Sequence, residues 1–317
     1  MGQKRIRLVG GDAIPAGIRT KLVLPGPSVH VEAMMHPPTG IPIALEPLVL
    51  RVLAPNASPY TYTGTQSYVV GGTTDAAVID PGPVDASHLD ALLAAVGTRR
   101  LVAVLCTHTH RDHSPGARAL ADRTGAPIVG CAPLTMDDAG PRADAAFDTA
   151  YGPDRVLGEG EGVSGTGWSL LAVETPGHTS NHLAFALPES GALFSGDHVM
   201  GWSTTIVSPP DGNMAAYMAS LEKLMGRSDR VYYPGHGEAV ENPQRFVRGL
   251  LGHRKAREGQ ILRLLGEGIG AVPAMVARMY VGLDAKLLPA AERSVLAHLL
   301  DLKGRGLAVE AGEWRRS

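Results

Sequence analysis

At 317 residues, with 44% hydrophobic and 19% charged residues and a formal net charge of −2, the chain has the composition of a soluble globular protein, with room for a large domain and a smaller one. Its two cysteines, Cys106 and Cys131, cannot build a disulfide framework; both end apolar runs and read as small buried residues in a reducing compartment. Aromatic residues at 5% leave no obvious base-stacking surface, and no apolar run approaches the roughly 18–20 residues of a membrane span. Met-Gly-Gln-Lys-Arg-Ile opens neither a signal peptide nor a myristoylation site, so the chain reads as cytoplasmic.

Residues 1–45 are rich in Pro and Gly and read as an irregular N-terminal extension with one or two edge strands. A strand is expected from Leu48 to Leu53, then a hairpin of Tyr68-Val69-Val70 and Ala77-Val78-Ile79, closed by the turn Asp80-Pro81-Gly82-Pro83. Asp85 caps a helix to about Ala95 that buries Leu89, Leu92 and Leu93. Leu101 to Cys106 is a buried strand, and Ser114 as N-cap with Pro115 at the first helical position opens a helix to Arg123. A short strand at Pro127–Val129 precedes a polar insert at 132–154, read as partly helical and as a lid or an oligomer contact. Strands resume at Arg155–Leu157, Ser169–Val173, Leu183–Leu187, Ala192–Phe194 and Arg230–Tyr233. Between the last two, Asn213–Met225 is a helix whose stripe of Met214, Tyr217, Met218, Leu221 and Leu224 is core. After residue 240 come helices at 242–266, 273–281 and 289–303 and a small hairpin, the pattern of a winged-helix module. Residues 241–317 carry a charge balance of +5 against −7 for 1–240, which points weakly to an anionic partner. Arg245, Arg248, Arg254, Lys255 and Arg257 read as a solvated helix face.

The densest chemistry lies at Thr107-His108-Thr109-His110-Arg111-Asp112-His113, a turn at the carboxyl end of a strand, where α/β folds place their sites. Imidazole and carboxylate together suit zinc and neighbouring first-row metals. Three other strands end in turns bearing His178, Asp197 and His236, so the chain offers seven ligands, the number two metals need. On extended backbone i and i+2 point the same way, so His108 and His110 can share one ion while Asp112 and His113 serve a second. Asp197, with two oxygens, can bridge both and help hold a hydroxide between them.

Thr107 to His113, Thr175-Pro176-Gly177-His178, Ser195-Gly196-Asp197 and Pro234-Gly235-His236-Gly237, in this order, resemble a metallo-β-lactamase-fold hydrolase of the glyoxalase II-like and LACTB2-like kind. The resemblance covers about residues 48–240, and the Ile206–Gly212 loop and helical tail extend it towards 310. It implies an α/β fold: an αββα sandwich with the metals at one edge of its two sheets, followed by a winged-helix-like domain. The domains are then an extension at 1–45, the catalytic domain at 46–240 and the C-terminal domain at 241–317. It assigns His108, His110 and His178 to the first metal, Asp112, His113 and His236 to the second, and Asp197 between them, with Asp80 supporting a ligand histidine. Well-known β-lactamases of this fold carry Cys at the Asp197 position and are exported, so β-lactam hydrolysis is not expected as a main activity.

The expectation is therefore a dinuclear hydrolase, with Asp112 and Asp197 as catalytic residues and two Zn²⁺ (or iron or manganese, which the same ligands accept), acting on a small ester, thioester or lactone. The alternative is a metal-dependent endoribonuclease acting on single-stranded RNA, favoured mildly by the basic tail and opposed by the acidic body and scarce aromatics. A non-catalytic module would need a broken ligand set, and none is broken. A membrane partner is not expected; a homodimer is kept open. His182 reads as a buried hydrogen-bonding residue and His198 as a loop hydrogen bond, while His30, His36, His88, His253 and His298 have no supporting context. A loop near Trp202–Asp211, with the tail, is expected to shape the substrate pocket.

Overall fold

The computed structural model describes residues 37–134 and 146–317. Most of the proposed N-terminal extension, with His30 and His36, and the middle of the polar insert lie outside them. A seven-stranded sheet runs in chain order through β1 (Ile43–Glu46), β2 (Val49–Leu53), β3 (Gln66–Gly71), β4 (Asp75–Ile79), β5 (Arg100–Cys106), β6 (Ile128–Gly130) and β7 (Arg155–Val156). Its first four strands are antiparallel and its last four parallel. The first two parallel pairs, β4–β5 and β5–β6, take their crossovers from α1 (Ala86–Val96) and α2 (Gly116–Thr124). The second sheet is a meander of β8 (Gly162–Gly165), β9 (Trp168–Glu174), β10 (Leu183–Leu187) and β11 (Ala192–Gly196), with β12 (Val231–Pro234) added parallel to β11 after α3 (Met214–Met225).

Period-two alternation sets the layers. Leu183, Phe185 and Leu187 join Phe194 and Tyr233 in the core between the sheets, whereas Ala184, Ala186, Leu193 and Tyr232 face α3 on the other side. Helices α1 and α2 cover the outer face of the first sheet, giving the expected helix, sheet, sheet, helix order. Each fully buried Phe or Leu of this core contributes roughly 1.5–3 kcal/mol. Two helix starts follow their caps: Asp85 accepts from the His88 amide at 2.9 Å, and Asn213 from the Ala216 amide at 3.0 Å.

Two local expectations change. Ser114 caps nothing; α2 begins at Gly116 after Pro115, and the Ser114 hydroxyl donates to Asp148 instead at 2.9 Å. Strand β8 was not expected, because Gly162-Val163-Ser164-Gly165 holds one apolar side chain and shows no alternation; it forms because β9 presents an edge for it.

The C-terminal part contains α4 (Pro243–Gly266), α5 (Val272–Met279), α6 (Leu288–Gly304) and the hairpin of β13 (Ala308–Ala311) and β14 (Glu313–Arg316). The 24 residues of α4 run about 36 Å. Its first half puts Val247, Leu250 and Leu251 into the core with Tyr217 and Leu221, and its second half puts Ile261, Leu264 and Leu265 into a core with Met275, Val295, Leu299 and Trp314. Among the described residues no helix is long and apolar enough to cross a membrane.

Candidate metal centre

Strands β5, β11 and β12 all deliver their carboxyl ends to one edge of the sandwich. Backbone bonds tie that edge together: Leu183 N donates to Thr107 O at 2.8 Å, Gln66 N to Gly235 O at 2.8 Å and Gly235 N to Gly196 O at 2.9 Å. His108, His110, His113, His178, Asp197 and His236 are buried there, and Asp112 is partly buried. The ligand atoms of His108, His110 and His178 lie within 4.8 Å of one another, as do those of Asp112, His113 and His236. His108, His113 and Asp197 form a third such group that overlaps both.

The hydrogen bonds fix which ring nitrogens face inward. His178 Nδ1 lies 2.7 Å from Ile206 O, His236 Nδ1 3.1 Å from Gly64 O, and His113 Nδ1 2.9 Å from Asp80 Oδ2. Carbonyls and carboxylates only accept, so each of these nitrogens carries a hydrogen and each Nε2 is the nitrogen turned into the site, a lone pair whenever the ring is neutral. The Thr107 hydroxyl donates to Asp80 Oδ2 at 2.8 Å and so accepts from His108 Nδ1 at 3.0 Å, which frees His108 Nε2 in the same way. The freed lone pairs converge: His108 Nε2 and His178 Nε2 stand 3.0 and 3.1 Å from His110 Nδ1, and His113 Nε2 stands 3.3 Å from His236 Nε2. Acceptors crowded so closely fit cations placed among them.

Asp197 sits between the sets. Its Oδ1 is 3.4 Å from Nε2 of both His113 and His236, and its Oδ2 is 3.8 Å from His178 Nε2. Oδ1 is buried and makes no well-formed hydrogen bond. Burial pushes the Asp197 carboxyl up, but His236 and His113 outweigh it and hold the group well below the usual carboxylate range. Burial likewise opposes, and His113 and His236 overcome, a low value for Asp112. Burial, then the neighbouring histidines, keep His108 and His110 neutral, the form that ligates. Burial lowers His236, but Asp197 and Asp112 raise it to about 10, the mark of a site with surplus negative charge. The donor set thus fits divalent metal ions by residue type, orientation and charge.

Glycines make room for this crowding. A Cβ on Gly235 would stand 2.5 Å from Asp197 Oδ1, and one on Gly177, at φ +139°, would stand 2.3 Å from Tyr217 Cα. Asp80 takes a left-handed φ of 49°, held by the Thr107 amide at 2.7 Å and by His113. The resemblance implied that Asp80 supports a ligand histidine, and the histidine it meets is His113.

Other residues refine the expectations. His182 bonds Thr175 Oγ1 at 2.8 Å and accepts from the Asp197 amide at 3.2 Å, a buried hydrogen-bonding residue as read. His198 differs: both its ring nitrogens lack a hydrogen-bond partner, and the ring packs on Tyr217 at 4.6 Å. Arg254 is not on a solvated face. It is 3% exposed, lies over the Tyr217 ring at 5.1 Å, and donates to Thr205 O and, at 3.3 Å, to Ser294 Oγ. The spacing 247, 250, 251, 254 and 261 had placed it on the buried stripe of α4 all along. The Trp202–Asp211 loop meets His178 through Ile206 O and stacks Trp202 on Tyr62 at 4.9 Å; a pocket beside Asp112 is lined by Ser58, Tyr60, Thr61, Pro83, Arg111 and Ala146.

Residues 60–236 match the model of the Metallo-beta-lactamase superfamily, and residues 271–316 that of the Beta-lactamase associated winged helix domain. The chain is 35% identical over 226 residues to an atrochrysone carboxyl ACP thioesterase of Aspergillus fumigatus, covering 70% of this chain and 66%, just under two thirds, of that protein. It is 30% identical over 269 residues to the beta-lactamase-like protein 2 homolog of Drosophila melanogaster, covering 81% of this chain and 88% of the relative. A beta-lactamase domain protein from Burkholderia ambifaria shares the fold with a TM-score of 0.73 at 22% identity, over 90% of this chain and 96% of that one. The chain is a member of the metallo-beta-lactamase superfamily with a C-terminal beta-lactamase associated winged helix domain.

Proposed function

We propose that this protein is a cytoplasmic dinuclear zinc hydrolase of thioesters, with small esters and lactones within its reach. The observation that carries the reading is Asp197, whose two oxygens face two separate sets of inward-pointing lone pairs. In this reading His108, His110 and His178 would hold one ion and Asp112, His113 and His236 the other, with Asp197 between the two sets. Zinc bound there would supply a nucleophile from water near neutral pH and polarise a carbonyl oxygen. The chain's own residues do the rest. Asp80, Thr107 and the carbonyls of Gly64 and Ile206 orient the imidazoles of His113, His108, His236 and His178 with Nε2 towards the site. The Thr65 hydroxyl, 3.4 Å from Asp112 Oδ2, steadies the carboxylate that borders the pocket. The thioesterase of Aspergillus fumigatus, at 35% identity, supports the choice among carbonyl substrates.

The alternative, an endoribonuclease, leans on the basic C-terminal part. Several of its cations are already engaged: Arg254 is buried, Arg257 bonds Met279 O at 3.0 Å, Arg305 pairs with Glu258 and Asp301, and Lys303 with Glu310. That leaves a thinner basic surface than the sequence promised and favours the small substrate.

Metal content by elemental analysis, with hydrolysis of N-acetylcysteamine thioesters and of a single-stranded RNA by wild type and Asp197→Ala, tests the reading. The expected result is two zinc ions per chain and thioester turnover that disappears on chelation and in the variant. Efficient RNA cleavage lost in the same variant, with no thioester turnover, overturns it.

A further inference from the structure

A pocket of about 350 Å³ opens beside Asp112, bounded by Ser58, Tyr60, Thr61, Pro83 and Arg111. Its size lies at the lower end of the range for small-ligand sites. One wall is built rigidly. Ser58 Oγ accepts from the amides of Tyr60 and Thr61 at 3.1 and 3.0 Å, and the Thr61 hydroxyl donates to Asn56 O at 2.6 Å. Asn56 Oδ1 in turn accepts from the Thr65 amide at 2.8 Å, and Thr65 reaches Asp112. The wall is thus fastened to a residue of the metal centre.

Arg111 forms the other side. Its amide donates to Ala146 O at 2.9 Å and its Nε to Phe147 O at 3.2 Å, which fixes the root and the inner nitrogen of the guanidinium. The two outer nitrogens have no carboxylate partner among the described residues. Asp112, its neighbour, is turned to His113 and His236 at 3.4 and 3.2 Å. The result is a held cation, with its outer donors unpaired among the described residues, at the mouth of a mainly apolar pocket beside Asp112.

We propose that Arg111 makes this pocket an anion-recognising subsite: the thioester hydrolysed at the centre carries a carboxylate or phosphate that the outer nitrogens of Arg111 grip side by side. A planar guanidinium fits such a group with two parallel hydrogen bonds. The wall of Tyr60, Thr61 and Pro83 takes the uncharged chain between anion and thioester. The inference rests on the thioesterase reading and names its substrate class.

Two sources of the anion are distinguished by three probes: butyryl-N-acetylcysteamine, neutral; glutaryl-N-acetylcysteamine, with the charge on the acyl group; and butyryl-4′-phosphopantetheine, with the charge on the carrier arm. For wild type, Arg111→Lys, Arg111→Ala and Arg111→Glu, kcat and KM are measured on each. The expected result is a loss in kcat/KM of about 10- to 100-fold on one charged probe in Arg111→Ala, carried by KM, with a far smaller loss on the neutral probe. Arg111→Lys recovers part of it and Arg111→Glu deepens it. Equal losses on neutral and charged probes, or none, overturn the subsite. Should wild type turn over none of the three, the thioesterase reading falls. The subsite is then judged by calorimetric titration of the matching non-hydrolysable thioethers: a charged thioether that binds at least tenfold more weakly to Arg111→Glu than to wild type supports it, and no discrimination overturns it.

Discussion

Arg254 donates to the carbonyl of Thr205, and the Thr205 hydroxyl donates to the carbonyls of Asp197 and His198 at 2.7 and 3.0 Å. A side chain of α4 therefore holds the loop that leaves Asp197. Its charge is buried on a carbonyl, a serine hydroxyl and the face of Tyr217. Arg254→Met orphans a buried carbonyl, at about 1–3 kcal/mol, and frees the loop. Denaturant unfolding and zinc titration of Arg254→Met and Arg254→Lys check this. Stability and zinc affinity should fall together in Arg254→Met, with partial recovery in Arg254→Lys; unchanged affinity would reduce Arg254 to a packing role.

Asp80 sets the tautomer of His113 while binding the Thr107 amide and hydroxyl. Asp80→Asn keeps the shape but removes the charge behind the ligand. Affinity for one of the two metals should fall about 10- to 100-fold, the usual cost of losing such a support. Competitive titration with a chromophoric chelator should resolve one weakened site and one little changed.

At Gly177 there is no space for a methyl group, because Tyr217 Cα would lie 2.3 Å from it and the backbone has a positive φ. Gly177→Ala must displace either α3 or the turn that presents His178. Urea unfolding should show a loss of about 1–3 kcal/mol or more, and zinc stoichiometry should drop below two.

His88 is buried, and burial lowers it to about 4 despite the opposing pull of Asp85. Ser67 donates to Asp80 O, so His88 gives its Nε2 hydrogen to the serine oxygen at 2.8 Å and stays neutral when folded. The unfolded chain takes up the proton near pH 6.5 and the folded chain only near 4. Stability from this group is thus complete above pH 6.5 and is lost as pH falls towards 4, by about 3 kcal/mol. In His88→Gln, whose amide can still donate to Ser67, the slope of stability against pH across this window should be shallower. A slope equal to that of wild type refutes the assignment.

The candidate ligands were legible because each sits where an apolar run meets a Gly or Pro turn, a pattern carried by side-chain identity. Their supports were only half legible. Asp80 announces itself, but the carbonyls of Gly64 and Ile206 have no signature in the sequence, since any residue supplies one. Arg254 was misread because its charge outweighed its position, although Val247, Leu250 and Leu251 mark the same stripe as buried. Strand β8 was invisible because its two glycines leave nothing to alternate.

Helix α4 contributes to the core beneath the second sheet and to the core of the winged helix domain within one continuous rod. The two modules are consequently joined by a shared beam rather than a tether. Neither can tumble against the other, and an insertion that rotates the beam by a fraction of a turn would turn Arg254 away from Thr205 and be felt at Asp197.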